Sequence, residues 1–229
     1  MIKAILIQAR LSSSRFPQKM LHLINNITLL EYVYNRCLQS KQADEVMIIT
    51  SVNQSDDELY ELCLKKKIPV FRGSLNNVLE RYLESALFIK ADVVCRVCGD
   101  SPFVDVNVID NFFDLLEKNR KLEYICASDS LNGFISEVFT LNVLKELNDK
   151  KLSNEDKEHV TKYIIDNIEK YNYKKIDLKL RPIDLENFTL TVDYPDDLET
   201  ANKIAKELDN FNFNSSDVIK TLYKIKGIK

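Results

Sequence analysis

The chain has 229 residues, 45% of them hydrophobic and 29% charged, with a formal net charge of −3. That is enough apolar material for one folded core, and the lack of a basic surplus argues against a nucleic-acid partner. No apolar run approaches the roughly 20 residues of a membrane span, and the N-terminus leads straight into a strand. Neither a membrane location nor a secretory leader is therefore expected, and the protein reads as cytoplasmic. The five cysteines (Cys37, Cys63, Cys95, Cys98, Cys126) are odd in number and scattered over apolar segments, as reduced core thiols are. Cys95 and Cys98 form a Cys-x-x-Cys pair, but it ends a strand and has no second Cys/His pair nearby, so the structural reading prevails over a redox or zinc site.

Residues 4–7 read as a short buried strand that stops at Gln8. A loop of hydroxyls and cations follows: Arg10, Ser12, Ser13, Ser14, Arg15 and Lys19. Past the carboxyl end of a strand, such a loop is a place to hold phosphates, because backbone N–H groups and fixed positive charge answer the anion. The plain alternative is a solvated connection. The loop has no glycine and no Gly-Lys-Ser/Thr ending, so it is not a P-loop.

Helical spacing is expected over 27–40, where Thr28 and Glu31 form a capping box. A strand over 46–50 and a helix over 56–67 come next. A short strand over 69–71 is closed by Arg72-Gly73, and a helix over 76–89 follows. The strand over 91–97 empties into Cys98-Gly99-Asp100-Ser101-Pro102. Gly99 lets the backbone approach a ligand. Asp105 is the natural cap of a helix over 106–118, which leaves Asp100 free to bind Mg²⁺ through oxygen.

Further on, a strand is expected over 122–127, alternation over 133–140 and a helix over 141–149. A longer helix over 154–171 carries Glu158-His159-Val160-Thr161. A half-exposed strand over 174–180 and a strand over 188–192 lead to Asp193, and Pro195 opens a helix with Asp196, Asp197 and Glu199 in its first turn. The last helix covers 215–225. This alternation predicts an α/β fold, a mostly parallel mixed sheet with helices on both faces. It forms one domain, 1–229, with a small antiparallel excursion around 128–140 and 174–180. No G-x-G-x-x-G is present, so a dinucleotide site is not expected.

Three polar clusters thus fall at strand ends: 8–19, 96–102 and 193–197. Cations that hold a polyphosphate and aspartates that hold Mg²⁺ form a usable set for phosphoryl chemistry. The segments that carry these clusters are Ile-Gln-Ala-Arg-Leu-Ser-Ser-Ser-Arg-Phe-Pro-Gln-Lys-Met-Leu (7–21), Phe-Arg-Gly-Ser (71–74) with Val-Leu-Glu-Arg-Tyr (78–82), and Arg-Val-Cys-Gly-Asp-Ser-Pro (96–102). Glu-Val-Phe (137–139), Glu-His-Val-Thr (158–161) and Thr-Val-Asp-Tyr-Pro-Asp-Asp-Leu-Glu (191–199) complete the set.

In order and spacing over residues 3–208, the sequence resembles the cytidylyltransferases of spore-coat polysaccharide biosynthesis, relatives of the synthetases of CMP-acylneuraminate and CMP-Kdo. The resemblance implies a three-layer Rossmann-like nucleotidyltransferase fold. It implies Mg²⁺-dependent transfer of CMP from CTP to a sugar acid or related acceptor, with release of pyrophosphate. It implies that Arg10 and Lys19 contact the triphosphate with Arg15 close by, that Ala9, Arg10 and Ser12 lie near base and ribose, and that Asp100 and Asp193 bind the metal. Gln8, Ser14, Arg72, Arg96 and Gly99 are grouped with the nucleotide site, and Glu137 and His159 with the acceptor. His159 could serve as a general base near neutral pH, but its mid-helix place favours a structural or acceptor-binding role. A homodimer is implied, with residues 134–139 reaching toward the partner.

Two positions depart from the family pattern. Ser12 stands where a glycine is usual, and Cys98 where Thr or Ser is common. The alternatives are a nucleotidyltransferase using another NTP and a sugar phosphate, or a catalytically silent nucleotide- or sugar-binding relative. A retaining glycosyltransferase would carry Asp-x-Asp after a strand, and none is present.

Overall fold

The computed structural model describes residues 1–227, apart from residues 135, 181, 183, 184, 186, 187 and 209 and the side chain of residue 129. Residue 135, inside the expected 128–140 excursion, is thus outside the described residues. The sheet is organised on β1 (Lys3–Gln8), which is buried up to its last residue. Successive strand side chains face opposite sides. Ile5 and Ile7 therefore enter one core cluster, and Ala4 and Leu6 the other.

A small hairpin follows, β2 (Leu23–Ile24) and β3 (Ile27–Thr28). Its turn residues Asn25 and Asn26 both have positive φ, 49° and 69°, the requirement of a tight two-residue turn. The hairpin takes the start of the expected 27–40 helix, so α1 (Leu29–Cys37) begins two residues later, behind the predicted Thr28–Glu31 capping box.

The other strands are β4 (Glu45–Ser51), β5 (Val70–Gly73), β6 (Val93–Cys98), β7 (Tyr124–Ser130), β8 (Glu137–Thr140) and β9 (Tyr173–Leu180). They form one sheet in the order β5-β4-β1-β6-β8-β7-β9. Only β8 runs against its neighbours. Helices α1, α2 (Asp57–Lys66), α4 (Val106–Lys118), α8 (Pro195–Glu207) and α9 (Ser215–Lys226) contribute to the core on the Ile5 and Ile7 face. Helices α3 (Val78–Phe88) and α5 (Leu141–Asn148) cover the other face. The three-layer α/β architecture is the one expected.

Asp105 caps α4 as predicted. Its carboxylate accepts from the Asn107 amide at 3.0 Å and from the Ser215 amide at 2.8 Å, so one buried aspartate starts α4 and pins the start of α9. Asp100 is left free of capping.

Four expectations are corrected. The 174–180 strand is not antiparallel: β9 pairs with β7 in parallel, because the connection between them passes through β8 and the helices after it. Half-exposed alternation reads the same in either direction. Residues 188–192 form no ladder. They make one parallel bridge, Thr189 with Asn132, while the Leu190 and Val192 amides donate to the carbonyls of Asn132 and Asp100, both at 2.8 Å. This stretch crosses the strand ends and carries Asp193 over Asp100.

The single helix expected over 154–171 is broken into α6 (Asn154–Glu158), α7 (Lys162–Asp166) and a 3₁₀ turn (Ile168–Lys170). At the break, buried Val160 takes φ 46°, a conformation that β-branched residues avoid. Lastly, the described residues of the 134–139 stretch do not reach outward: Phe134, Ser136, Glu137, Val138 and Phe139 are buried in this chain.

Candidate active site

Two cavities open side by side at the carboxyl ends of β1 and β6. The first, of about 250 Å³, is lined by Gln8, Ala9, Arg10, Ser12, Ser13, Ser14, Arg15 and Lys19 from the β1 loop. Cys98, Gly99 and Asp100 close it from β6, Asp193 from the crossing stretch, and Val78, Arg81 and Glu158 from the far wall.

The loop is shaped by its own backbone: the Ser13 and Gln18 amides both donate to the Leu11 carbonyl, and the Leu11 amide donates to buried Asp56 at 2.7 Å. Gly99 is favoured by tight packing. A Cβ there would sit 3.0–3.1 Å from Met20 Sδ, Ala9 Cβ and the Gln8 carbonyl.

The cations of this cavity differ in how they are held. Arg10 and Arg15 are 46% and 55% exposed, and each has one carboxylate partner: Arg10 pairs with Glu158 at 3.1 Å and Arg15 with Asp193 at 2.7 Å. Exposed pairs of this kind are weak and exchangeable, so an incoming polyanion can take both arginines. Lys19 is 8% exposed, and its ammonium donates to Asp100 Oδ2 at 2.7 Å, the Val192 carbonyl at 2.9 Å and Asp193 Oδ1 at 3.1 Å. Asp193 is fixed in turn by α8, since Asp197 Oδ2 accepts from the Asp193 and Tyr194 amides.

The second cavity, of about 460 Å³, shares Cys98 and Asp100 with the first. Its centre is Glu137 on the antiparallel β8. That carboxylate accepts from Arg96 Nη1 at 2.9 Å, from the Thr161 hydroxyl at 2.8 Å and from the Tyr124 hydroxyl. Burial and the Glu137 charge both push the Tyr124 phenol far up, which keeps it protonated and donating. Burial works against the Arg96 guanidinium, but the direct pair with Glu137 opposes it, and the net shift is upward, so the charge is held in place. The Thr161 bond anchors the break between α6 and α7. The break puts His159, Thr161, Lys162, Ile165 and Asp166 on the cavity wall, opposite Asn132, Gly133 and Thr191. The Cys98 thiol is pushed up to about 11 by burial, with Arg96 opposing, so it stays a thiol at neutral pH and is no nucleophile.

Most predicted residues are brought together. Gln8, Ala9, Arg10, Ser12, Ser14, Arg15, Lys19, Gly99, Asp100 and Asp193 line the first cavity, and Glu137 and His159 line the second. Ser12, at the position where a glycine is usual, lies exposed on the wall. Two assignments change. Arg96 faces the second cavity, where Glu137 and Gln8 hold it. Arg72 lines neither: its guanidinium donates to the Ser51 and Asn53 carbonyls and to Asp57, and so closes the β4 loop. Arg81 and Glu158 in the first cavity, and Thr161 and Lys162 in the second, escape the sequence reading. Arg81, Glu158 and Thr161 are within its reach, since they lie in the segments 78–82 and 158–161 that carry the pattern.

Neither cavity offers a ready-made metal cage: among the described residues no group of three or more His, Cys, Asp or Glu side chains is placed to hold an ion. Asp100 and Asp193, 24% and 22% exposed toward one cavity, are a two-carboxylate set. Such a set fits Mg²⁺, which is bound by one or two carboxylates with substrate phosphates and water completing its shell.

The sequence model of the cytidylyltransferases matches residues 4–223. The chain belongs to this family. The cytidylyltransferase is 31% identical over 200 residues to the spore coat polysaccharide biosynthesis protein SpsF of Bacillus subtilis, covering 85% of this chain and 82% of that protein. It is 31% identical over 156 residues to the 3-deoxy-manno-octulosonate cytidylyltransferase of Marinomonas sp., covering 64% of this chain and 55% of that one. In three dimensions it is similar to a cytidylyltransferase from Leptospira borgpetersenii, with a TM-score of 0.92 at 29% identity over 100% of this chain and 96% of the other. The fold is therefore the Rossmann-like nucleotidyltransferase fold expected. No helix among the described residues is long and apolar enough to cross a membrane.

Proposed function

We propose that this cytidylyltransferase transfers CMP from CTP to a hydroxyl of a sugar acid for surface glycan biosynthesis, releasing pyrophosphate. The observation that carries this reading is the place of Asp100, which lines both cavities at once. One cavity holds exchangeable cations suited to a triphosphate. The other is lined by the side chains of Asn132, Thr161 and Thr191, suited to a polyhydroxylated acceptor, with Lys162 as a cation for its carboxylate and His159 as a further hydrogen-bonding group. Support for the acid comes from the similarity to a 3-deoxy-manno-octulosonate cytidylyltransferase.

In this reading Arg10 and Arg15 exchange their carboxylate partners for phosphate oxygens. Asp100 stands where an acceptor hydroxyl would meet the α-phosphate. Asp100 and Asp193 would hold Mg²⁺, which when bound supplies charge stabilisation for the departing pyrophosphate. No protein nucleophile is required, and positioning with electrostatics does the work. We assign the protein to a reducing compartment, the cytoplasm, on its five free cysteines. On the family resemblance we assign it a homodimeric state, which light scattering reads as about twice 26.6 kDa.

The test is pyrophosphate release with Mg²⁺ from CTP, UTP, GTP and ATP, each against 3-deoxy-manno-octulosonate, N-acetylneuraminate and a set of sugar phosphates. Release from CTP with a sugar acid is the expected result. Release from another NTP with a sugar phosphate would overturn the assignment.

A further inference from the structure

The Lys19 ammonium has three N–H donors, and all three are used: on Asp100, on the Val192 carbonyl and on Asp193. The lysine is buried under the β1 loop. It lies between the two carboxylates that the proposed function gives to the metal. Arg15 adds a second positive charge on Asp193, so each of the two carboxylates already has a cationic partner. A divalent cation approaching them would have to displace a desolvated, fully bonded ammonium.

We propose that Lys19 occupies the metal position of the nucleotide-free protein and makes metal binding depend on nucleotide. This rests on the assignment of Asp100 and Asp193 as metal ligands. A triphosphate brings several negative charges to the cavity and offers new acceptors to Lys19 and Arg15. Lys19 turns to the phosphates, the carboxylate oxygens are released, and the phosphates add the ligands that the protein lacks. Metal and nucleotide then bind with positive coupling, and by linkage each raises the affinity of the other by the same factor. Lys19 is in this sense a counter-ion that is exchanged as well as a phosphate contact.

The probe is Mn²⁺ alone, followed by the loss of the free-ion paramagnetic signal on nucleotide-free protein. Lys19→Met removes the charge and keeps much of the length, and Lys19→Arg keeps the charge. The wild type and Lys19→Arg are expected to bind Mn²⁺ weakly. Lys19→Met should bind one Mn²⁺ at least roughly tenfold more tightly, within the usual range of site coupling. Lys19→Met/Asp100→Asn should lose that gain.

A folded Lys19→Met protein that binds Mn²⁺ no better than wild type overturns the proposal and leaves the carboxylate assignment standing. A gain that survives Asp100→Asn overturns the carboxylate assignment itself. Thermal unfolding of the wild type gives an answer without any variant. Mn²⁺ should raise its Tm only when CTP is present, and a rise with Mn²⁺ alone contradicts the proposal.

Discussion

The two cavities meet at Asp100, yet they are built on opposite principles. In the first, two of the three arginines are exposed and lightly held by single carboxylates, Arg10 by Glu158 and Arg15 by Asp193. In the second, the arginine is locked: Arg96 is bound to Glu137, which also gathers Tyr124 and Thr161. A site whose cations can be exchanged is made to take charge. A site whose arginine is already neutralised is made to hold a shape. The difference teaches that an arginine in a cavity wall names an anion site only when its partner can be displaced.

The comparison breaks most sharply at the residue both cavities share. Asp100→Asn should lower kcat by about a thousandfold, the scale of removing one charge-positioning group from a reacting centre, with the fold intact by circular dichroism. Glu137→Ala should act on the second cavity through stability. It removes one partner of a buried ion pair and leaves Arg96 uncompensated, which costs about 3 kcal/mol in denaturant unfolding. The Cys98 thiol gives the smallest effect. Pushed up to about 11 by burial, it is protonated at pH 8, and alkylation by iodoacetamide should be slow there and accelerate only as pH climbs toward that value. Fast modification at pH 8, located by mass spectrometry, would show that the shared wall is wetter than described.

The same contrast explains what could be read from the sequence. Parallel strands that end in polar loops announce the first cavity, and Asp105 announces itself as a cap, so Asp100 was separable from it. Arg72 lies outside both cavities because its partners, the Ser51 and Asn53 carbonyls and the Asp57 carboxylate, belong to the β4 loop, and no spacing in the sequence ties it to them. The second cavity depends on a break in what reads as one helix. Apolar spacing over 154–171 continues through Val160, whereas the bond from Thr161 to Glu137 that accompanies the break is tertiary. Val160, at φ 46°, is buried in the same cluster as residues of α3 and α5, and burial of its side chain opposes the cost of that backbone. A strained backbone of this kind is tolerated where the surroundings over-determine it, often at functional sites.

The division of labour between the cavities is tested most directly by steady-state kinetics on Arg10→Ala and Thr161→Val, with both substrates varied. Arg10→Ala should raise the KM for CTP roughly tenfold, the loss of one charge-assisted contact, and leave the acceptor KM within about twofold. Thr161→Val frees the α6–α7 break and should do the reverse, with Thr161→Ser restoring the acceptor KM. If either variant shifts the other substrate's KM instead of its own, the assignment of one cavity to nucleotide and the other to acceptor is wrong.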